Sequence, residues 1–171
     1  MSTIYICPLI DVHEHAAAFA PSHVLSMLGN DEFPATPPGI EDARHLRLRF
    51  HDIDVPMDGM QPPEAHHIDA ILAFGAAWAT SGPLIVHCFA GVSRSTAAAL
   101  ALIAQANPGH ERAAARLMRE RAPHARPNRR MIALADQALG LDGRLSDAVE
   151  GMGKPDFATM GNLVALPARF D

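Results

Sequence analysis

Leu84-Ile85-Val86-His87 is apolar up to its histidine, and a run of that kind is a strand for the middle of a sheet covered on both faces. Shortly after it, Thr96 to Ala106 is apolar or small almost all round, the pattern of a buried helix. A buried strand feeding a buried helix calls for neighbouring strands and further helices, and the chain supplies both. Strands are expected at Thr3–Leu9, at Ser22–Leu28 and at His45–Phe50, where period-two alternation buries Leu46, Leu48 and Phe50 on one face. Helices are expected at Glu111–Arg121, at Asn128–Leu139, and after Pro62-Pro63-Glu64, with Ile68, Ile71, Leu72, Gly75 and Trp78 on one side. Gly29–Asp42, with three prolines, and His51–Gln61 read as loops, and beyond Gly140 only Leu163–Leu166 reads as a strand. The expectation is one α/β domain over residues 1–171, with a core at 3–139 and an extension at 140–171 of unassigned role.

Composition narrows the function classes. The chain is 49% apolar and 19% charged, which excludes a disordered chain, and its two cysteines, Cys7 and Cys88, offer no disulfide framework. A net charge of −5 argues against nucleic acid or an anionic membrane as partner. No run approaches a membrane span and no signal-peptide layout opens the chain, so a cytoplasmic address is expected. Locally the balance reverses, because seven arginines fall between His110 and Arg130 against Glu111 and Glu120. A single lysine, Lys154, amid many arginines and alanines suggests a GC-rich bacterial origin.

The chemistry concentrates at His87-Cys88-Phe89-Ala90-Gly91-Val92-Ser93-Arg94-Ser95. A short loop leaving a buried strand and entering a helix can curl its backbone N–H groups inward, making an anion nest at a positive helix end. Gly91 gives the freedom the curl needs. Arg94 can then grip two phosphate oxygens at once, which lysine cannot. A thiol at the floor of the nest meets dipoles and a cation that favour its anion, so Cys88 is a candidate nucleophile, with the Ser95 hydroxyl as donor to the sulfur. Attack on a phosphate ester also needs a proton for the leaving oxygen, and the loop after the third strand offers Asp52, Asp54 and Asp58.

These residues resemble the cysteine-based protein tyrosine and dual-specificity phosphatase superfamily, whose signature is His-Cys, five residues, Arg, then Ser or Thr. Phe50-His51-Asp52-Ile53-Asp54-Val55-Pro56 looks like its general-acid loop, although Pro56 stands further from the aspartate than the usual proline does. Leu117–Arg121 followed by Arg126-Pro127-Asn128 is similar to the segment that closes dual-specificity phosphatase domains. The resemblance implies an α/β fold with a mainly parallel central sheet flanked by helices, and two-step hydrolysis through a phosphocysteine without metal or cofactor. It assigns Cys88 as nucleophile, Arg94 as phosphate ligand, Ser95 as assistant and Asp52 as acid and then base, with Asp54 the alternative. The amides of Phe89, Ala90, Gly91, Val92, Ser93 and Arg94 form the cradle. The substrate expected is a phosphotyrosine-bearing protein, met by a monomer without membrane or nucleic acid. Dual-specificity action or a non-protein phosphate (phosphoinositide, nucleotide, RNA 5′ end) is the alternative. A non-catalytic phosphate-binding module and a rhodanese-like sulfurtransferase stand further off.

Blander readings hold elsewhere. Cys7 lies in a strand and reads as packing, with a redox partner for Cys88 as the sharper option. His13-Glu14-His15 and His66-His67 match no tetrahedral metal spacing. His87 reads as loop support and Asn128 as a helix cap, with a pocket role as its alternative. Arg112, Arg116 and Arg119 read as one solvated helix face, while Arg126, Arg129 and Arg130 could draw a phosphorylated substrate to the rim.

Overall fold

The computed structural model describes residues 2–170; Met1 and Asp171, the ends of the expected domain, lie outside them. Its elements in order are β1 (Thr3–Pro8), α1 (Val12–Phe19), β2 (His23–Leu28), β3 (His45–Arg49), α2 (Ala65–Trp78), β4 (Leu84–Cys88), α3 (Arg94–Ala106), α4 (Glu111–Arg121), α5 (Arg129–Leu139), α6 (Arg144–Glu150) and β5 (Val164–Pro167). They build one five-stranded sheet in the order β3-β2-β4-β1-β5, and β4 lies at its centre as its apolar run requires. β1, β2, β3 and β4 are parallel, and only β5 runs antiparallel, along β1. This is an α/β fold around a mostly parallel sheet. The loops after β1, β3 and β4 therefore open at one sheet edge, where ligand sites of such sheets form.

Alternation along the strands sorts the core into two unequal layers. Ile4, Ile6, Leu25, Met27, Leu84 and Val86 face the larger layer with α3, whose residues from Arg94 to Ala104 are all buried. Cys7, Val24 and Ile85 point the other way and meet Val12 and Ala16 of α1, one helical turn apart. Sequence reading left α1 out, since one short turn-and-a-half of apolar contact between His13, Glu14 and His15 gives little periodicity to count.

Several boundaries differ from expectation for local reasons. The prolines do not enter α2: Pro62 and Pro63 lead in, and the Glu64 N–H donates to His67 Nδ1 where the helix begins. α5 starts at Arg129, because Asn128 is its cap and accepts the Met131 N–H at 2.9 Å. Leu46 and Leu48 are half-buried, and the fully covered residues of that edge are His45 and Phe50. The stretch after Gly140 is also more ordered than its glycines suggest. Asp136 accepts the N–H groups of Gly143, Leu145 and Ser146 and so caps α6 from α5. Farther on, the Asn107 side chain holds the Ala168 carbonyl and the Phe170 N–H, fixing the end of β5. Among the described residues no helix is long and apolar enough to cross a membrane.

Candidate active site

β4 ends at Cys88, α3 begins at Arg94, and the five residues between them turn a tight loop. Four of its carbonyls are tied outward by backbone N–H groups from three other parts of the chain. Phe89 O accepts from Leu9 N–H at 3.0 Å, Ala90 O from Gly161 N–H at 2.8 Å, Val92 O from Arg126 N–H at 3.0 Å, and Ser93 O from Asn128 N–H at 3.3 Å. Because the peptide is planar, carbonyls turned out leave the amide edge turned in. Gly91 takes φ +70°, and a Cβ there would come within 2.8 Å of the Cys7 and Pro8 backbone, so only glycine lets the loop lie against β1.

Cys88 stands at the base, 3% exposed, its Sγ 3.2 Å from Ser95 Oγ. Arg94 is buried beside it, and its Nη1 donates to Phe50 O at 2.8 Å, which aims the guanidinium across the loop. Its Nε–H is buried without a protein acceptor, a costly arrangement that an anion in the loop would relieve. A cavity of about 270 Å³ opens here, lined by Cys88, Phe89, Arg94, Asp52, Arg126 and Thr159 among others. An oxyanion entering it meets inward amides, a guanidinium and a thiol within one enclosure.

The three aspartates part company. Asp52 lines the Cys88 cavity, and its Oδ1 accepts from Ser93 Oγ at 2.6 Å and Asn128 Nδ2 at 2.9 Å. Asp54 lines the neighbouring cavity and accepts the Arg130 N–H at 3.4 Å. Asp58 is exposed at the loop tip between Met57 and Met60. The structure thus brings Cys88, Arg94, Ser95 and Asp52 together and leaves Asp54 and Asp58 aside.

No protein-family model matches the sequence, and no curated protein matches it by sequence. Solved structures do. The structure of DUSP15 matches with a TM-score of 0.59 at 20% identity, covering 87% of this chain and 89% of that one. The human tyrosine phosphatase-like serine/threonine/tyrosine-interacting protein matches with a TM-score of 0.61 at 18% identity, covering 81% and 92%. PTPMT1 matches with a TM-score of 0.57 at 18% identity, covering 86% and 94%. The fold is that of the dual-specificity phosphatases.

Within that phosphatase fold, the other residues singled out by sequence take definite places. Cys7 is fully buried on the α1 face, and burial, with Asp11 nearby, pushes its thiol up to about 12. Cys88 reaches Ser95 of α3 on the opposite side of the sheet, so the two thiols do not face each other. Arg119 departs from the solvated-face reading: its guanidinium donates to the carbonyls of Met152, Ala122, Pro123 and Gly153. Arg130 Nε donates to Pro63 O at 2.6 Å, whereas Arg126 is the arginine at the cavity wall. Sequence reading missed Ser93 as a holder of Asp52, and Ala158, Thr159 and Gly161 as parts of the site. Asn128 carries both readings at once, cap and pocket. Only its position after a loop proline pointed that way; the tail carried no signal, since it acts through the Gly161 N–H and through small residues at the cavity wall.

Proposed function

We propose that the protein is a phosphomonoester hydrolase working through a phosphocysteine, with phosphotyrosine in a polypeptide as its substrate. The observation that carries this reading is the Cys88 thiol beneath a loop whose carbonyls are tied outward, beside the unpartnered Nε–H of the buried Arg94. The phosphoryl group sits on the amides of Phe89 to Arg94, with the guanidinium across two of its oxygens. The Cys88 thiolate attacks phosphorus, the bond from phosphorus to the ester oxygen breaks, and Asp52 passes its proton to that oxygen. Two donors already occupy Asp52 Oδ1, so the proton travels on Oδ2. Water then attacks the phosphocysteine, the Asp52 carboxylate takes the water proton, and the sulfur leaves as thiolate with the Ser95 hydroxyl donating to it. The residues supply nucleophile, cation and acid from the chain itself, so no step is assigned to a metal or cofactor.

The intact Cys88, Arg94 and Asp52 favour catalysis over a binding module, although one neighbour is named only phosphatase-like. A rhodanese-like role is less well served, because sulfur transfer has no use for Asp52 over the thiol. A second substrate reading has one observation behind it: PTPMT1 has also been solved in complex with PI(5)P, on a chain matching this one with a TM-score of 0.53. Against it stands a cradle loop without lysine for further inositol phosphates. The wild-type protein in EDTA should release phosphate from p-nitrophenyl phosphate between pH 5 and 7, and a brief turnover should leave a phosphoryl group on Cys88 by mass spectrometry. Absence of both sinks the enzymatic reading. Preference for a phosphotyrosine peptide over phosphoserine peptide and PI(5)P vesicles tests the substrate; a faster rate on the vesicles transfers it to lipid. The setting we propose is a cytoplasmic monomer, with a bacterial origin inferred from composition.

A further inference from the structure

A row of buried polar side chains crosses the sheet on its α1 face, where alternation along β4 and β2 would otherwise place apolar residues: His87, Ser26 and His45, each 8% exposed or less. His87 Nε2 lies 2.5 Å from Ser26 Oγ, and Ser26 Oγ lies 2.7 Å from His45 Nε2. At the inner end His87 Nδ1 lies 3.3 Å from the Cys88 carbonyl. At the outer end His45 Nδ1 lies 3.1 Å from Thr36 Oγ1, which is 2.6 Å from Asp42 Oδ1 and also accepts from Arg47.

Two neutral imidazoles and two hydroxyls bring four hydrogens to the five hydrogen-bond positions from the Cys88 carbonyl to Asp42, so one position has none, and its place sets the direction of the rest. A carbonyl only accepts, so Nδ1 of His87 must carry the hydrogen that meets Cys88 O. Burial pushes both His87 and His45 down to about 4, so each ring is neutral and has one N–H. His87 Nε2 is therefore bare and takes the Ser26 O–H. Ser26, its single hydrogen spent, accepts the His45 Nε2–H. Thr36 Oγ1 donates to Asp42, so once the inner end is anchored on the Cys88 carbonyl the position without a hydrogen is the one between His45 Nδ1 and Thr36 Oγ1. The charged or titratable groups around the row are Asp42 and Arg47 beside His45, Arg94 beside His87, and His13 from α1 toward both.

We infer that Ser26 and His45 are positioning residues for the cradle: they set which nitrogen of His87 carries its proton, and through it the direction of the Cys88 carbonyl. That carbonyl is the first of the loop, and in a trans peptide its orientation aims the Phe89 N–H the opposite way, into the nest. His87 thus does for the Cys88 carbonyl what Leu9, Gly161, Arg126 and Asn128 do for the carbonyls that follow. Unlike those four donors, an imidazole can turn its proton to the wrong side, and the Ser26 hydroxyl, oriented by His45, prevents it.

The test reads the tautomer directly and does not depend on the proposed phosphatase reaction. In protein labelled with 15N-histidine, His87 should show a protonated Nδ1 and a bare Nε2. Ser26→Ala should shift those resonances toward a mixture of tautomers and slow alkylation of Cys88 by iodoacetamide by about three- to tenfold, the worth of one hydrogen bond. Ser26→Thr, which keeps the hydroxyl, should retain both signals. His45→Gln, whose amide can donate to Ser26, should stay near wild type while His45→Leu behaves as Ser26→Ala does. Unchanged His87 resonances in a folded Ser26→Ala protein overturn the inference. Equal loss in Ser26→Ala and Ser26→Thr overturns it too, by showing that packing and not the hydroxyl matters.

Discussion

Two strand-to-helix junctions open at the same sheet edge, and they are built on opposite plans. The junction from β4 to α3 is five residues long, exposes only Phe89, and is braced from three separate segments of chain. The junction from β3 to α2 runs from Phe50 to Glu64 and is mostly exposed, with Val55 63% and Met57 53% open to solvent. It is gathered at its base, where His51 and Gln61 exchange hydrogen bonds, and Asp52 just beyond is held by side chains alone. On the proposed reading, the phosphoryl group, which has one fixed geometry, meets backbone braced in place. On the same reading, leaving oxygens of varied shape meet a side chain on an exposed loop.

That contrast can be broken from either side. Cys88→Ser removes the nucleophile from the braced junction and should lower turnover by at least about 10⁴-fold on every substrate, with an unchanged melting temperature; residual turnover near wild type would end the covalent mechanism. Arg94→Lys keeps charge and loses the fork, and should cost about 10²–10³-fold in kcat/KM without regard to leaving group. Asp52→Asn should be selective: a loss of about 10²-fold or more on an alkyl phosphate or phosphotyrosine, and much less on p-nitrophenyl phosphate, whose leaving group needs little protonation. If Asp54→Asn shows that selectivity instead, the acid has been misplaced. Asn128→Ala frees Asp52 of one donor and α5 of its cap, so a further loss of about three- to tenfold should come with a destabilisation of about 1 kcal/mol in a urea titration.

An effect on stability, not on turnover, separates the junctions by pH. His45 and His87 are held neutral beneath the braced side, each down to about 4 against about 6.5 in an unfolded chain. Below pH about 6.5 the unfolded state binds protons that the folded state refuses, so stability is full above that value and falls as pH drops toward 4. Each histidine adds a slope of at most about 1.4 kcal/mol per pH unit. Urea midpoints at pH 7, 5.5 and 4.5 should show it, His45→Gln should flatten it, and Asp54→Asn should leave its histidine-dependent part unaltered.

Sequence carried the braced junction almost whole. The apolar run into Cys88, the glycine, and the arginine before a helix of apolar and small residues each answer to a rule of backbone or charge that needs no distant partner. The aspartate loop was legible as a region and left three carboxylates open, since only Ser93 and Asn128, 41 and 76 residues away, hold Asp52 and not the other two. The least legible parts are those that act through backbone atoms or long separation: Gly161 on Ala90, Asn107 on Phe170, and Arg119 on four carbonyls. A main-chain N–H leaves no residue-type signature. α6 shows the same limit, since its capping carboxylate, Asp136, belongs to the previous helix.

The Gly161 tie also sets a time order. Gly161 lies 73 residues after Cys88, so at about 5–20 residues per second the thiol is made roughly 4–15 s before the donor that completes its loop. During that interval β1, β4 and α3 can pair, while Ala90 O lacks the partner that turns it outward. A nascent or truncated chain thus carries Cys88 in an unfinished ring until the far end of the polypeptide folds back beside β1.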